Sequence, residues 1–183
     1  STQPTTPPIG STQPTTPPIV TPVLPPADPN TITYAANTPL DAQPQQTPTF
    51  SPIGINPASQ YTLGIINEYR RLSGLQPLTL NVKLSYAAEA KSQDMALNNR
   101  VSSVGSRGSL LTTRVDAAGY RASQLGEIAY IGQQTALNAF TDWTNDPEDR
   151  ANLLNPEYKD IGISAFRLGS INAWTIDFAK PMN

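Results

Sequence analysis

The spacing of apolar residues predicts two long helices after residue 56. The first begins at Asn56-Pro57, where Asn is a favourable cap and Pro a favourable first residue, and it ends at Gly74. The second is predicted from the cap Asn81 to about residue 98. Apolar positions recur at three- and four-residue steps and give each helix one buried face: Ile65, Ile66, Tyr69 and Leu72 in the first, and Leu84, Ala87, Ala88 and Met95 in the second.

Shorter elements are predicted in the remainder of the chain. Residues 101–109 have the composition of a loop, and a short helix is expected around residues 110–118, closed by Gly119. The pattern then predicts a strand at 125–131, a helix at 135–145, a helical turn at 147–154, and strands at 160–168 and 173–178. Helices flanking a small antiparallel sheet make an α+β sandwich, so residues 57–183 are expected to form one domain of that class.

Residues 1–56 have a different composition and are predicted to form an extended, non-globular arm. Thirteen of the nineteen prolines lie within the first fifty residues, and residues 1–10 and 11–20 are identical at nine of ten positions. Asp28 and Asp41 are the only charged residues before Glu68. Because proline fixes φ and forces the preceding residue into extended angles, the arm favours polyproline II or β conformations over helix.

Several roles are open for this arm. Its composition is that of a flexible linker or of an O-glycosylated stalk. Because the chain has no Asn-x-Ser/Thr sequon, any glycans are expected on Thr, Ser or modified Pro. The glycosylation candidates are Thr5, Thr6, Thr15, Thr16 and Thr21. The β-prone stretch 31–34 could instead add an edge strand to a second copy of the chain. Such a head-to-tail contact propagates into a filament or surface layer unless it closes.

The chain contains neither histidine nor cysteine, and these absences limit its chemistry. Without imidazole or thiol, a Ser-His-Asp or Cys-His nucleophile and a His-ligated zinc site are excluded. A net charge of −2 with dispersed Arg and Lys gives no basic stripe for nucleic acid, and no apolar run approaches the roughly 20 residues of a membrane span. Since the chain starts at Ser1 without an apolar leader, a removed signal peptide is expected, with a recombinant start as the alternative.

Residues 60–180 contain a series of short motifs in a fixed order. The segments 67–70 (NEYR) and 74–78 (GLQPL), followed by Asn81, resemble the opening motif N-x-x-R…G-L-x-P-L-x-x-N of bacterial domains of the CAP superfamily, the cysteine-rich secretory, antigen 5 and pathogenesis-related proteins. Further matches follow in the family's order: Ala87-Ala88, Asp94-Met95, Gly105, Gly108, Arg114, Ala118-Gly119-Tyr120, Gly126-Glu127, Trp143, Arg150-Ala151-Asn152-Leu153-Leu154, Tyr158, Ile161-Gly162-Ile163, Trp174 and Phe178. The resemblance implies a secreted or cell-surface α-β-α sandwich, with both tryptophans in its core.

CAP domains typically carry a cleft lined by two histidines and two acidic residues, often able to bind a divalent metal. The resemblance implies that Ser103 and Asp149 stand at the histidine positions, and Glu127 and Asp146 at the acidic positions. An all-oxygen set disfavours zinc. Two interpretations follow: Ca²⁺ or Mg²⁺ bound by Glu127, Asp146 and Asp149, or a degenerate cleft without cofactor, in which Arg150 or Arg107 neutralises the acids.

The function favoured by the sequence is that of an extracellular, non-catalytic structural or interaction protein that self-associates through its arm. One alternative is a secreted binder of a lipid or another small hydrophobic ligand, held in a crevice between helices. The other is a residual hydrolase that uses the acid pair Glu127 and Asp146. Ser102 and Ser103 are poor candidate nucleophiles, since a desolvated lysine would be the only base available to them at neutral pH.

Overall fold

A four-stranded sheet lies between two layers of helices in the computed structural model, which describes residues 57–182. In chain order the elements are α1 (Pro57–Leu72), β1 (Thr79–Leu80), α2 (Val82–Asn98), α3 (Leu111–Ala117), β2 (Ala122–Ile131), α4 (Ala136–Asn145), α5 (Pro147–Leu153), β3 (Asp160–Leu168) and β4 (Ile171–Pro181). Helices α1, α4 and α5 share the main apolar core with one face of the sheet, whereas α2 and α3 pack on the other face. The expected α-β-α sandwich is confirmed.

The strand order in the sheet is β1-β3-β4-β2. β2 and β3 both pair with β4 in antiparallel orientation, and β1 pairs with β3 in parallel. The sheet expected to be antiparallel therefore has one parallel pair at its edge. Because β1 has two residues, it is too short to show the alternation that identifies a strand in a sequence.

The predicted boundaries of the longer elements agree with the structure to within a few residues. Asn81 caps α2 as expected, since its side-chain oxygen accepts from the N–H of Lys83 at 3.0 Å. Thr135 caps α4 rather than forming its first residue, and accepts from the N–H of Asn138 at 3.2 Å. β2 extends beyond the predicted strand at its N-terminal end, and β4 extends beyond the predicted strand at both ends. The reason is that ladder pairing continues through polar positions that break the apolar pattern.

The opening motif of the resemblance has a structural role. The side-chain amide of Asn67 donates to the carbonyl of Leu78 at 2.9 Å, and the N–H of Leu78 donates back to Asn67 Oδ1 at 2.7 Å. Arg70 is fully buried and fixes three carbonyl groups, those of Gln76 (2.9 Å), Leu153 (2.7 Å) and Asn155 (3.0 Å). The motif thus ties α1 to the turn that follows it and to the end of α5.

Trp143 and Trp174 lie in the core, as the resemblance implies. They are 0% and 1% exposed, and their rings meet edge to face with centroids 6.2 Å apart. The indole N–H of Trp174 donates to the carbonyl of Gln133 at 2.8 Å. Both residues therefore serve packing between α4 and β4.

Residues 1–56 and Asn183 lie outside the described residues. The arm, its repeat, its glycosylation candidates and the stretch 31–34 therefore stay predictions from the sequence. Between residues 57 and 182, no helix has the length and apolar character needed to cross a bilayer.

Candidate functional site

The register of the sheet brings two acidic side chains together. Glu127 on β2 is the direct partner of Asp177 on β4, and Gly162 on β3 is the partner of Asp177 on its other side. Directly opposed residues of antiparallel strands project to the same face. Ala173 and Ala179, at alternate positions along β4, pack in the clusters formed with α2. Glu127 and Asp177 therefore lie on the face covered by α2 and α3.

Arg114 on α3 neutralises Glu127. Its Nη2 donates to Oε2 of the Glu127 carboxylate, and the two side chains are 5% and 11% exposed. Its Nη1 also donates to the carbonyl oxygen of Ser109 at 3.2 Å. Because the pair is so well buried, removal of either partner alone would leave an uncompensated charge away from water.

Lys91 on α2 supplies a second buried cation. The residue is 1% exposed, and its ammonium group donates to the carbonyl oxygen of Ser102. Burial lowers the pKa of Lys91, while the nearby Glu127 carboxylate acts in the opposite direction. Lys91, Arg114, Glu127 and Asp177 together are named the charge cluster below.

Asp177 is the most deeply buried member of the charge cluster. It is 0% exposed, and neither carboxylate oxygen receives a hydrogen bond from any of residues 57–182. Burial raises the pKa of Asp177 well above its ordinary value, and the negative charge of Glu127 raises it further, against the effect of Arg114. A protonated Asp177 can donate its O–H to Glu127, which satisfies both groups, so the site favours the carboxylic acid form.

Residues 101–109, named the cleft loop below, are held over the charge cluster by charged side chains. Lys91 and Arg114 bind two of its carbonyl groups, as described above. Asp94 on α2 accepts hydrogen bonds from the backbone N–H of Ser106, at 2.9 Å, and from its hydroxyl. Although burial acts against them, the hydrogen bonds from Ser106 lower the pKa of Asp94. The loop is therefore anchored along its whole length.

A cavity of about 260 Å³ lies between the cleft loop and the C-terminal half of α2. Its lining is polar except for one valine: Asp94, Asn98, Arg100, Ser102, Val104 and Ser106. Such a lining favours a polar occupant over a hydrophobic one.

The four residues assigned to the cleft by resemblance occupy two places. Ser103 is exposed in the cleft loop, next to the charge cluster that contains Glu127. Asp146 caps α5, where its Oδ1 accepts from the N–H groups of Glu148 at 2.8 Å and Asp149 at 3.1 Å. Burial, together with the negative charges of Asp146 and Glu148, raises the pKa of Asp149 to about 6. The charges acting on Asp149 thus come from its own helix.

Glu127 and the acids of α5 point away from each other. A Cβ added to Gly126 would meet the side chains of Asn152 and Tyr158, so position 126 faces the α5 side of the sheet. Since side chains alternate along a strand, Glu127 faces the opposite side, where Arg114 binds it. The acid pair Glu127 and Asp146 of the residual-hydrolase alternative therefore does not form.

The proposed cation ligands do not fit a divalent metal. Within residues 57–182, no group of three or more His, Cys, Asp or Glu side chains is arranged to hold a metal ion. The neutralising cation is also not one of those expected. Arg150 donates to the carbonyl of Thr144 at 3.2 Å, whereas Arg114 binds Glu127.

Sequence reasoning missed the roles of Lys91, Arg114 and Asp177, although two of them left a signal. Lys91 lies four residues after Ala87 and four before Met95, on the apolar side of α2. Asp177 interrupts the otherwise apolar or small stretch 173–179. A charge on a buried face needs a partner, and this requirement was the available clue to a buried ion-pair network.

Comparisons with known proteins agree with the fold. The family model described as CAP, the cysteine-rich secretory protein family, matches residues 63–178. The uncharacterized protein YkwD of Bacillus subtilis (strain 168) is 31% identical to the chain over 152 residues, which are 83% of this chain and 57% of YkwD. The chain therefore spans little more than half the length of this relative.

Two solved structures are similar to the described domain. An extracellular protein containing an SCP domain from Bacillus anthracis has a TM-score of 0.63 and 22% identity, over 67% of this chain and 40% of that chain. An outer surface protein of Borrelia burgdorferi has a TM-score of 0.62 and 20% identity, over 67% of this chain and 92% of that chain. At these identities the likeness concerns the fold.

Proposed function

The chain belongs to the cysteine-rich secretory protein (CAP) family, and on that premise we propose that it is an exported, non-catalytic interaction module. Its place is outside the cell or at the cell surface, which agrees with the extracellular and outer-surface descriptions of the two similar structures. We propose neither a cofactor nor a nucleic-acid partner for the domain. The parts of the chain that interact with partners are the surface of the folded domain and the arm.

The ion pair between Arg114 and Glu127 is the observation that carries the non-catalytic proposal. A carboxylate bound to a buried guanidinium is a poor general base and a poor metal ligand. Lys91, the desolvated lysine that a serine nucleophile would need, donates to the Ser102 carbonyl oxygen. With no imidazole or thiol in the chain, the cluster serves to close the cleft and to hold its loop.

The arm is proposed to connect copies of the chain. Its Thr/Pro composition supports an extended, O-glycosylated segment, with Thr5, Thr6, Thr15, Thr16 and Thr21 as candidates. The stretch 31–34 (TITY) combines β-prone residues with a lack of charge, which suits addition to a sheet edge of a second copy. A filament or surface layer is the assembly that such a contact would build.

Sedimentation velocity of the full chain over a range of concentrations tests this assembly. We expect the wild type to self-associate and the double substitution Ile32→Lys with Tyr34→Lys to sediment as a monomer. The matched control is Thr31→Lys with Thr33→Lys, which adds the same charge on the alternate positions of a strand. A monomeric wild type, or equal association in both double variants, would refute self-association through this stretch.

A further inference from the structure

Four large apolar side chains are exposed around the cleft loop. Leu97 is 72% exposed, Val101 48%, Val104 39% and Leu110 51%. Half of the eight exposed large hydrophobic residues within residues 57–182 thus fall in a segment of fourteen residues. Isolated apolar residues are ordinary on a protein surface, but such a concentration marks an interaction surface.

The same segment is basic, although the chain carries a net charge of −2. Residues 97–110 contain Arg100 and Arg107 and no acidic residue, and the nearby Asp94 carboxylate on α2 is bound by Ser106. Arg114 is used within the charge cluster, whereas Arg100 and Arg107 are exposed and neither guanidinium has a partner among the residues that the structure describes. The surface therefore combines protruding apolar groups with two available cations.

The cleft loop is fixed both by hydrogen bonds within it and by side chains of α2 and α3. The N–H of Gly105 donates to the Ser109 carbonyl at 2.8 Å, and the N–H of Gly108 donates to the Gly105 carbonyl at 2.8 Å. Lys91, Arg114 and Asp94 bind further groups of the loop. An anchored loop presents its exposed side chains in defined positions, which lowers the entropy lost on binding.

We propose that this surface, formed by Leu97, Val101, Val104 and Leu110 with Arg100 and Arg107 and named the apolar tip, binds the surface of an anionic lipid bilayer. A bilayer accepts protruding apolar side chains without a complementary pocket, and they enter the boundary between headgroups and acyl chains. The two guanidinium groups lie at headgroup level and pair with the anionic lipids. This binding goes beyond the proposed assembly and does not depend on the arm.

Flotation of the full chain with phosphatidylglycerol–phosphatidylcholine vesicles, and with pure phosphatidylcholine vesicles, tests the proposal. We expect binding to the anionic vesicles that weakens with salt. Arg100→Gln with Arg107→Gln should weaken it about 25-fold, at about fivefold per charge, and Leu97→Ser with Val104→Ser should abolish it. The matched controls are Arg71→Gln with Arg121→Gln and Leu72→Ser with Leu168→Ser, which make the same changes at exposed residues elsewhere and should bind like the wild type.

Insertion is measured separately with Val104→Trp, whose fluorescence should shift to the blue and be quenched by brominated lipids. Absence of binding to anionic vesicles would overturn the proposal, and so would equal losses in the tip and control variants. Arginine-dependent binding without quenching would also overturn it, because it would identify adsorption to a polyanion rather than entry into a bilayer.

Discussion

Glu127 and Asp177 stand directly opposite each other on β2 and β4, so that two carboxyl groups share one buried place beneath the cleft loop. Arg114 compensates the charge of Glu127, and a second negative charge at Asp177 would have no hydrogen-bond donor of its own within residues 57–182. Burial and the charge of Glu127 raise the pKa of Asp177, so the site favours the protonated form of this residue. This arrangement makes the stability of the domain sensitive to pH.

Replacement of Asp177 by Asn should remove this sensitivity. Because the pKa of Asp177 is raised in the folded state, its contribution to stability is complete below the pKa of an unfolded aspartate and is lost as pH rises through the folded-state pKa. The free energy of unfolding of the wild type should therefore fall relative to Asp177→Asn as pH rises. Urea unfolding across pH measures this difference, with the exposed Asp116→Asn as control; a difference that does not change with pH would refute the assignment.

Arg114 and Glu127 should show strong coupling in a double-mutant cycle. Arg114→Met or Glu127→Met alone leaves a buried charge without its partner, which costs about 3–5 kcal/mol of unfolding free energy. The double substitution Arg114→Met with Glu127→Met should cost much less than the sum, because neither member of the pair is then left without its partner. Chemical denaturation measures all three variants. Additive effects would show that the two side chains do not form the pair described.

Arg70 should not tolerate lysine, although its neighbour Arg71 should. Lysine cannot reproduce the three hydrogen bonds that the buried guanidinium of Arg70 makes to backbone carbonyls, and loss of one such charged bond costs about 1.5–3 kcal/mol. Arg71→Lys is the matched control, since Arg71 is exposed and pairs with Glu68 across one helical turn. Thermal unfolding compares the two variants. Equal melting temperatures would contradict a structural role for the motif.

Gly162 should be more sensitive to alanine than Gly126, although both lie in strands of the sheet. A Cβ at Gly162 would meet the backbone of Leu84 in α2, so the helix itself would have to move, at about 3 kcal/mol or more. A Cβ at Gly126 would meet the ends of the Asn152 and Tyr158 side chains, which can shift at roughly 1 kcal/mol. Unfolding free energies test this order, and the reverse order would contradict the packing of α2 on β3.

The sequence predicted the helices and strands well because their signals are local. Asn81 is a cap by residue type, Gly74 adopts the positive φ of +75° that ends α1, and the apolar periods mark the buried faces. Leu72 departs from this prediction: it was expected on the buried face of α1, but it is the last residue of that helix and is 43% exposed.

β1 was not predicted, because a two-residue strand is defined by its pairing with another strand. The N–H of Thr79 donates to the carbonyl of Lys159, and the N–H of Asn81 donates to the carbonyl of Ile161. No local pattern contains this information.

The site was less predictable because it depends on which sheet face a residue occupies. The resemblance grouped Glu127 with Asp146 and Asp149, which lie at the start of α5. The actual neighbours of Glu127 come from β4, α2 and α3 and are distant in sequence. Register and helix packing bring them together, and neither can be derived from residue types alone.

The central claim is that Arg114 pairs with Glu127, the acid that the resemblance assigns to the cleft, and thereby removes this carboxylate as a metal ligand. Calorimetric titration of the full chain with Zn²⁺, Ca²⁺ and Mg²⁺ at millimolar concentration tests this claim most directly. We expect no heat beyond dilution for any of the three ions. Stoichiometric binding of one of them that disappears in Glu127→Gln would contradict it.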